Sequence, residues 1–488
     1  MRDSPNLKHL GAYYTPPEVV RSLVRWATQS QTTGSILDPS CGDGRFLAGL
    51  PNGVGVDIDP AAVAAARSGP GEPRIVNSDF FSWAAETELR FDAAIGNPPF
   101  IRYQRFNGET RRRALDLSRK NGVRLTALSS SWAPFVVCAA SLLNRGGRIA
   151  FVVPGEIGHA VYARPVVEWL MDSFSRVEVI AVRSKLFPDL SEDCWLLRAV
   201  GWGGSTQEIH MARLDSFTTD ESGWEFERIA RPELVDWNLR LRPFLLSPDI
   251  RETYRALGRR QSVSRLGALA RVGIGYVTGA NDFFHLRPSE AEHLGIPPRF
   301  LRTAVRSNRD LAGLSDVTAE VVEEWLGEDR AMLLLDLTGV EEPPEAVRAY
   351  LDSQAGREAR KAYKCRVRDP WYVVPHIQVP GAFLTIMSGQ GPRLVGNSAG
   401  AVCTNSVHAV RFKNGADVSE LVAGWGAALT QLSCEIEGHA LGGGLLKIEP
   451  GEAKEVLVGS RVRVSKSQRL LLQSGIRQLK GWRNVQDS

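Results

Sequence analysis

Two prolines directly behind an apolar run are an unusual way to end a strand. In the segment FDAAIGNPPFIRY, residues 91–103, they follow Asn97. Pro98 and Pro99 remove two backbone donors and rule out helix and inner strand at that point. Asn97 and Phe100 are thereby held on a stiff, extended turn, which suits presenting an amide and an aromatic ring to a substrate. Three other groups of chemistry-bearing residues each stand just behind an apolar run: Asp38-Pro39-Ser40-Cys41-Gly42-Asp43-Gly44, then Asp57-Ile58, then Asp79-Phe80.

The elements that must position these groups alternate between strand and helix. Thr15-Pro16-Pro17-Glu18 reads as a helix start, with Thr15 as N-cap, proline in the first turn and Glu18 closing a capping box. Val19, Val20, Leu23, Val24 and Ala27 then recur at helical spacing. GSILDPSCGDGRFLAGL predicts a short strand, a Gly-rich turn and a helix beginning near Arg45. GVGVDIDP is a second strand before an alanine-rich helix over 61–67, RIVNSDFF a third and FDAAIG a fourth. A helix over Ser129–Asn144, closed by Gly146-Gly147, leads to the strand RIAFVVP. A helix near 159–173 leads to RVEVIAV, and DCWLLRAVGW is one more strand.

This alternation predicts an α/β fold over residues 1–244, a doubly wound, largely parallel, Rossmann-like sheet. Ligands of such sheets sit beyond the carboxyl ends of the strands, and all four groups fall there. From about residue 245 short β-like runs and many turns replace the alternation, which predicts a mixed α+β domain over 245–488.

At 488 residues the chain is too long for one core. No stretch approaches the ~18 uninterrupted apolar residues of a membrane span, and the first residues lack the apolar core of a signal peptide. The six cysteines are scattered without a C-x-x-C pair, which argues for reduced thiols in a cytoplasm and against a zinc site. A net charge of +4 permits nucleic-acid binding without demanding it.

The turn DPSCGDG is neither a dinucleotide fingerprint nor a Walker loop, and its two acids would repel a pyrophosphate. An acidic, glycine-lined turn suits a cationic cofactor without phosphates, and S-adenosylmethionine is one. Asp57 then stands where dinucleotide folds place the acid that binds ribose hydroxyls. Asp79 is placed to accept from the adenine amine, with Phe80 or Ile58 against the ring. Any one of these acids could instead be a turn or N-cap residue; four strand ends in series make that reading poor for the set.

The ordered set resembles the S-adenosylmethionine-dependent N6-adenine DNA methyltransferases of the gamma arrangement, as found in restriction–modification systems. GAYYTPPEVV is similar to the family's N-terminal cofactor motif, which brings in Tyr14 and Thr15. ILDPSCGDGRFL is similar to its Gly-rich loop (Asp38, Pro39, Ser40, Cys41, Gly42, Gly44), GVDIDP to the ribose acid motif and NSDFF to the adenine-side motif. GNPPF resembles the catalytic tetrapeptide, and SKLFPDLSEDCWLLRAV the later target-base motif. VGIGYVTGANDFF and GGGLLKIEP resemble segments of the target-recognition part. The resemblance runs from about Gly11 to Pro450.

It implies direct in-line transfer of a methyl group to the exocyclic nitrogen of an adenine flipped out of double-stranded DNA. The Asn97 side-chain oxygen and the Pro98 carbonyl would accept from the two amino hydrogens. Pro99 stiffens the turn, and Phe100 would stack on the base and favour its developing positive charge. Phe187 matches the aromatic that meets the flipped base from another side; the plain alternative is a core phenylalanine. Tyr103 is a candidate pocket wall.

Arg102 and Arg105, with six further cations up to Arg124, would grip phosphates beside the flipped nucleotide; a solvated helix face is the plain alternative. In the second domain Lys364, Arg366 and Lys447 are candidate DNA contacts. No metal or membrane role is expected, and a separate restriction endonuclease partner stays open. Three other readings compete: an RNA adenine methyltransferase, a protein glutamine N5-methyltransferase (which would leave the C-terminal half unexplained), and a DNA-binding defence subunit without turnover.

Overall fold

Three residues, Ile36–Asp38, form the strand β1 around which the first half is organised. The chain adds β2 (Gly53–Asp57) and β3 (Arg74–Asn77) on one side of it, then returns to lay β4 (Phe91–Gly96) and β5 (Leu143–Pro154) on the other. All four of these pairings are parallel, with Ile36 opposite both Gly53 and Ala93. Further on come β6 (Phe174–Val182), β7 (Cys194–Trp202), β8 (Glu208–Leu214) and β9 (Phe226–Ala230). The nine-stranded order is β3-β2-β1-β4-β5-β7-β6-β8-β9, with β7 antiparallel to both its neighbours and β9 antiparallel to β8. The sheet is therefore mixed rather than purely parallel.

This computed structural model describes residues 14–29, 34–187, 192–413, 415–441, 443–459 and 462–483. Parts of two motifs noted above, residues 11–13 and 188–191, lie outside them, as does Gly442. Among the described residues no helix is long and apolar enough to cross a membrane, and no group of His, Cys, Asp and Glu could hold a metal ion. The chain divides into two compact units, Met1–Leu245 and Leu246–Ser488.

Alternation of side chains along the central strands gives the sheet two apolar faces. Ile36, Ala93, Ile95, Ala150 and Val152 join Val19, Leu23 and Val63 in one buried cluster. Leu37, Ala94, Ile149 and Phe151 point the other way and are no less buried. A sheet buried on both faces needs near-continuous apolar strands, which is why FDAAIG and RIAFVVP read so clearly.

Three local expectations are corrected. Thr15 is not an N-cap: the helix is Pro17–Thr28, its N-cap position is taken by Pro16, and no side chain caps it. Thr15 is instead buried, and its carbonyl accepts from Arg45 at 2.6 Å. No helix begins near Arg45. Residues 41–50 step through tight turns, Gly44 N–H to Cys41 O, Leu47 to Gly44 and Leu50 to Leu47, because Gly42, Gly44 and Gly49 all take positive φ, which an α-helix cannot hold. Finally, the helix expected over Ser129–Asn144 spans only Trp132–Ser141, and β5 already begins at Leu143, taking Gly146-Gly147 into the strand.

The second unit is built mostly on antiparallel pairing, Leu301–Val305 and Val402–Cys403 alone among its paired strands running parallel among the described residues. Ala270–Ile274, Val407–Phe412, Ala382–Thr385 and Leu394–Gly396 make one four-stranded sheet. His285–Leu286, Leu333–Leu335, Leu301–Val305 and Val402–Cys403 make another. A three-stranded ribbon of Met387–Ser388, Leu445–Lys447 and His439–Leu441 carries Lys447. Helices Ala428–Glu437 and Lys466–Trp482 pack on each other.

Candidate active site

The reversal of strand order at β1 opens a crevice between the carboxyl ends of β1 and β4, the place where open α/β sheets bind ligands. Asp38 ends β1, Asp57 ends β2, and Asn97 follows β4. A cavity of about 230 Å³ lies there. It brings together Tyr14, Thr15, Pro39, Ser40, Cys41, Gly42, Asp57, Ile58, Asp79, Phe80, Asn97 and Pro99.

Two of its acids are oriented by backbone. The Asp57 carboxylate accepts from Gly42 N–H at 2.8 Å and from Asp59 N–H at 2.9 Å, so it ties the Gly-rich turn to the end of β2. Gly42 can offer that N–H because it sits at φ +52°, a conformation L-residues with side chains rarely take. Asp79 caps the helix Phe80–Glu86: its Oδ2 accepts from Ser82 N–H at 2.9 Å and from Ser82 Oγ at 2.6 Å. The plain N-cap reading of Asp79 thus holds for Oδ2. Phe80 is buried and lies parallel to Phe135 at 5.2 Å between ring centres, while Ile58 is exposed at the cavity mouth.

Asp38 and Gly44 are not in the cavity wall. Asp38 lies beneath it, wholly buried, with Oδ1 accepting from Ser40 N–H at 3.1 Å. Its Oδ2 is buried with no hydrogen-bond partner. Burial pushes its carboxyl up to about 8, against the pull of the Ser40 N–H and with a further push from Asp57 and Asp43. Burial likewise pushes the Cys41 thiol well up. A cavity rimmed by acids, with a buried carboxylate oxygen lacking a donor below it, fits a cationic ligand such as S-adenosylmethionine and would disfavour phosphate.

Phe100 is half-buried against the apolar cluster that contains Phe187, and Pro98 also stands outside the cavity wall. Phe187 is 6 % exposed and packed in that core, which agrees with its plain structural reading. Arg102 pairs with Glu192 at 2.6 Å, and Tyr103 and Arg105 are exposed. In the second unit Lys364 lies over the Tyr363 ring at 5.8 Å, Arg366 is exposed, and Lys447 pairs with Glu449.

Sequence reasoning missed Arg45 and Phe135. Arg45 pairs with Asp43 at 2.6 Å, covers the Tyr14 ring at 4.5 Å and holds the Thr15 carbonyl, so it fastens the N-terminal segment over the Gly-rich turn. Nothing local marks it. Phe135 sits in a helix that is apolar all round, so the pattern gave no facing direction.

Comparison with known proteins places these features in a family. The family description "Type II methyltransferase M.Eco57I, C-terminal domain" matches residues 240–487. The chain belongs to the M.Eco57I family of type II methyltransferases. "Eco57I restriction-modification methylase" matches residues 72–187 and "N-6 DNA Methylase" residues 4–56. Type II methyltransferase M.XamI of Xanthomonas campestris pv. amaranthicola is 26 % identical over 477 residues, covering 92 % of this chain and 85 % of that protein. M.AccI of Acinetobacter calcoaceticus is 20 % identical, covering 91 % and 84 %. The fold is shared with the type IIL restriction-modification enzyme MmeI solved in complex with DNA: TM-score 0.59, 14 % identity, 93 % of this chain and 69 % of that one. This M.Eco57I-family protein is accordingly a DNA methyltransferase of restriction–modification type, and S-adenosylmethionine is its cofactor.

In this methyltransferase Gly96 takes φ +147°, and a Cβ there would stand 2.6 Å from Asp38 Oδ1. Gly96→Ala is therefore expected to destabilise by about 1–3 kcal/mol and to lower activity at least tenfold, by displacing Asn97 next to it. Thermal unfolding and a methyl-transfer assay on the purified variant check this; wild-type activity would show that the contact relaxes.

Proposed function

We propose that this methyltransferase is adenine-specific and methylates N6 of an adenine flipped out of double-stranded DNA. The observation that carries the reading is that Asn97 and Pro99, from the turn leaving β4, line the same cavity as Asp57, Asp79 and Phe80. Residues 1–244 are read as a Rossmann-like methyltransferase domain and 245–488 as a target-recognition domain.

S-adenosylmethionine, when bound, supplies an electrophilic methyl group on a sulfonium. Asp57 would take the ribose hydroxyls and Asp79 Oδ1 the adenine amine, with Phe80 and Ile58 flanking the ring. The N6 lone pair of the target base is conjugated into its ring, so the nitrogen is a poor nucleophile. Asn97 Oδ1 and the Pro98 carbonyl, accepting one amino hydrogen each, favour a more tetrahedral nitrogen whose lone pair aims at the methyl. Proline has no N–H to compete and holds its carbonyl at a fixed φ. Phe100 would stack on the base and stabilise the positive charge that develops. The methylated nitrogen is acidic enough to lose its proton to water, so no tuned base is required; catalysis is positioning and electrostatics.

DNA phosphates would meet the helix Gly108–Lys120 and its flanks. Arg112 and Arg113 pair with Glu109 there, and Arg119 with Asp116. Such exposed pairs contribute little to stability, so phosphates can replace them. Arg105, Lys120 and Arg124 are exposed and have no acidic partner among the described residues. Lys364, Arg366 and Lys447 would contact DNA from the recognition domain. A separate restriction endonuclease of matching specificity is the expected companion.

Single-molecule sequencing of DNA from cells expressing wild type and Asn97→Ala tests the reading. A sequence-specific N6-methyladenine mark with the wild type alone is expected. A mark on cytosine, or the same adenine mark with Asn97→Ala, would overturn it.

A further inference from the structure

The catalytic turn has an anchoring problem built into its sequence. Pro98 and Pro99 lack N–H groups, so between Asn97 and Phe100 the backbone cannot pin itself through donors of its own. The carbonyls are equally free to choose a direction, yet one of them, on Pro98, has to face the substrate.

Ser131 answers this from outside the turn. Its hydroxyl accepts from Ile101 N–H at 2.9 Å and donates to the Pro99 carbonyl. Its own N–H donates to the Ile101 carbonyl at 3.0 Å. Three bonds from one residue thus grip the first stretch of chain able to hydrogen-bond after the prolines. The side chain is wholly buried, so water cannot substitute for it. At the near end of the turn Ser40 Oγ reaches only the Asn97 carbonyl, at 3.4 Å.

Ser131 is itself held firmly. It immediately precedes the helix Trp132–Ser141. Its neighbour Ser130 donates to Glu156 Oε2 at 3.2 Å, and that same oxygen accepts from the Tyr162 hydroxyl. Trp132 Nε1–H donates to Tyr162 Oη at 2.7 Å, closing the ring of contacts. Glu156 follows β5, the strand beside β4. The clip is therefore mounted on the sheet next to the strand that delivers the turn.

We propose that Ser131 is a positioning residue for methyl transfer: by turning the Pro99 carbonyl onto its hydroxyl and holding Ile101, it sets the direction of the Pro98 carbonyl and the plane of Phe100. This deepens, and rests on, the assignment of Asn97–Phe100 as the methyl-transfer turn. Ser131 does not line the cavity, so its loss is expected to act on the chemical step rather than on binding.

The test compares wild type, Ser131→Ala, Ser131→Thr and Asn97→Ala on unmethylated DNA carrying the sequence that the wild type marks, with S-adenosylmethionine affinity and thermal unfolding measured alongside. Ser131→Ala is expected to lower kcat tenfold to a hundredfold, with KM for DNA and cofactor affinity within about twofold of wild type. Ser131→Thr, which keeps the hydroxyl, is expected to recover most of that loss. A kcat within twofold of wild type for Ser131→Ala would overturn the proposal. So would Ser131→Ala losing its thermal transition or its cofactor affinity, since Ser131 would then be a fold determinant only. If wild type leaves adenine unmethylated, or Asn97→Ala is fully active, the fault lies with the assignment of the turn.

Discussion

Replacing Arg483 by alanine should lower the stability of the second unit by about 3–5 kcal/mol, among the largest effects of any single substitution outside the active site. Arg483 follows the helix Lys466–Trp482, and its guanidinium grips Glu435 on the helix Ala428–Glu437 with two bonds, 3.0 Å from Nε and 2.7 Å from the other nitrogen. A further N–H of the same group donates to the Gly444 carbonyl. Both side chains are essentially inaccessible, 0 % and 2 %. Removing the arginine takes two charge-assisted hydrogen bonds from a buried carboxylate and frees the carbonyl beside the ribbon that bears Lys447. The pair as a whole need not be stabilising, because desolvating two charges offsets much of their attraction. Arg483→Met combined with Glu435→Leu should therefore recover most of the loss. Denaturant unfolding of the wild type and the two variants decides it; a loss below about 1 kcal/mol in Arg483→Ala would mean water reaches the pair.

The second large effect is one of pH. Asp38 has its carboxyl held at about 8 in the fold, against an ordinary 3.8, mainly by burial. The folded state then keeps a proton that the unfolded chain releases. Its contribution is fully present below about pH 4 and is lost as pH rises through about 8, at up to roughly 1.4 kcal/mol per pH unit. Asp38→Asn, isosteric and always neutral, should flatten that part of the pH–stability curve and be more stable than wild type at pH 8. A cation bound above the carboxylate favours its ionised form. Affinity for S-adenosylmethionine should accordingly rise between pH 6 and 8 in the wild type, and less so in Asp38→Asn. Parallel stability curves for the two proteins would show that Asp38 is already ionised in the folded protein.

Much of the site was legible because its parts are short segments at the ends of apolar runs. A strand buried on both faces must be a continuous apolar string, so FDAAIG and GVGVD mark their own ends, and the acids and Asn-Pro-Pro-Phe that follow are displaced to the ligand edge. Thr15 misled for a local reason: it has N-cap chemistry, but Pro16 already provides a helix entry with φ near −55°, which leaves Thr15 to be buried in the cavity wall. The helix expected at Arg45 failed because three glycines with positive φ outweigh the apolar spacing of Phe46, Leu47 and Leu50.

What the amino-acid order determined by itself is the inventory and its sequence along the chain: an acidic Gly-rich turn, Asp57, Asp79 and a rigid Asn-Pro-Pro-Phe turn, each at a strand end. These follow from near-neighbour effects, namely period-two burial, proline's fixed φ and missing donor, and glycine's access to positive φ. The tertiary structure alone decided which groups are held, and by what. That Asp38 is buried under Gly96, that Arg45 straps Tyr14 and Thr15 over the turn, and that Ser131 clips Pro99 and Ile101 all depend on residues 30 to 58 positions apart. Contacts at that separation are set by the order of strands in the sheet, and the strand order is settled by packing two faces at once, which no local pattern encodes.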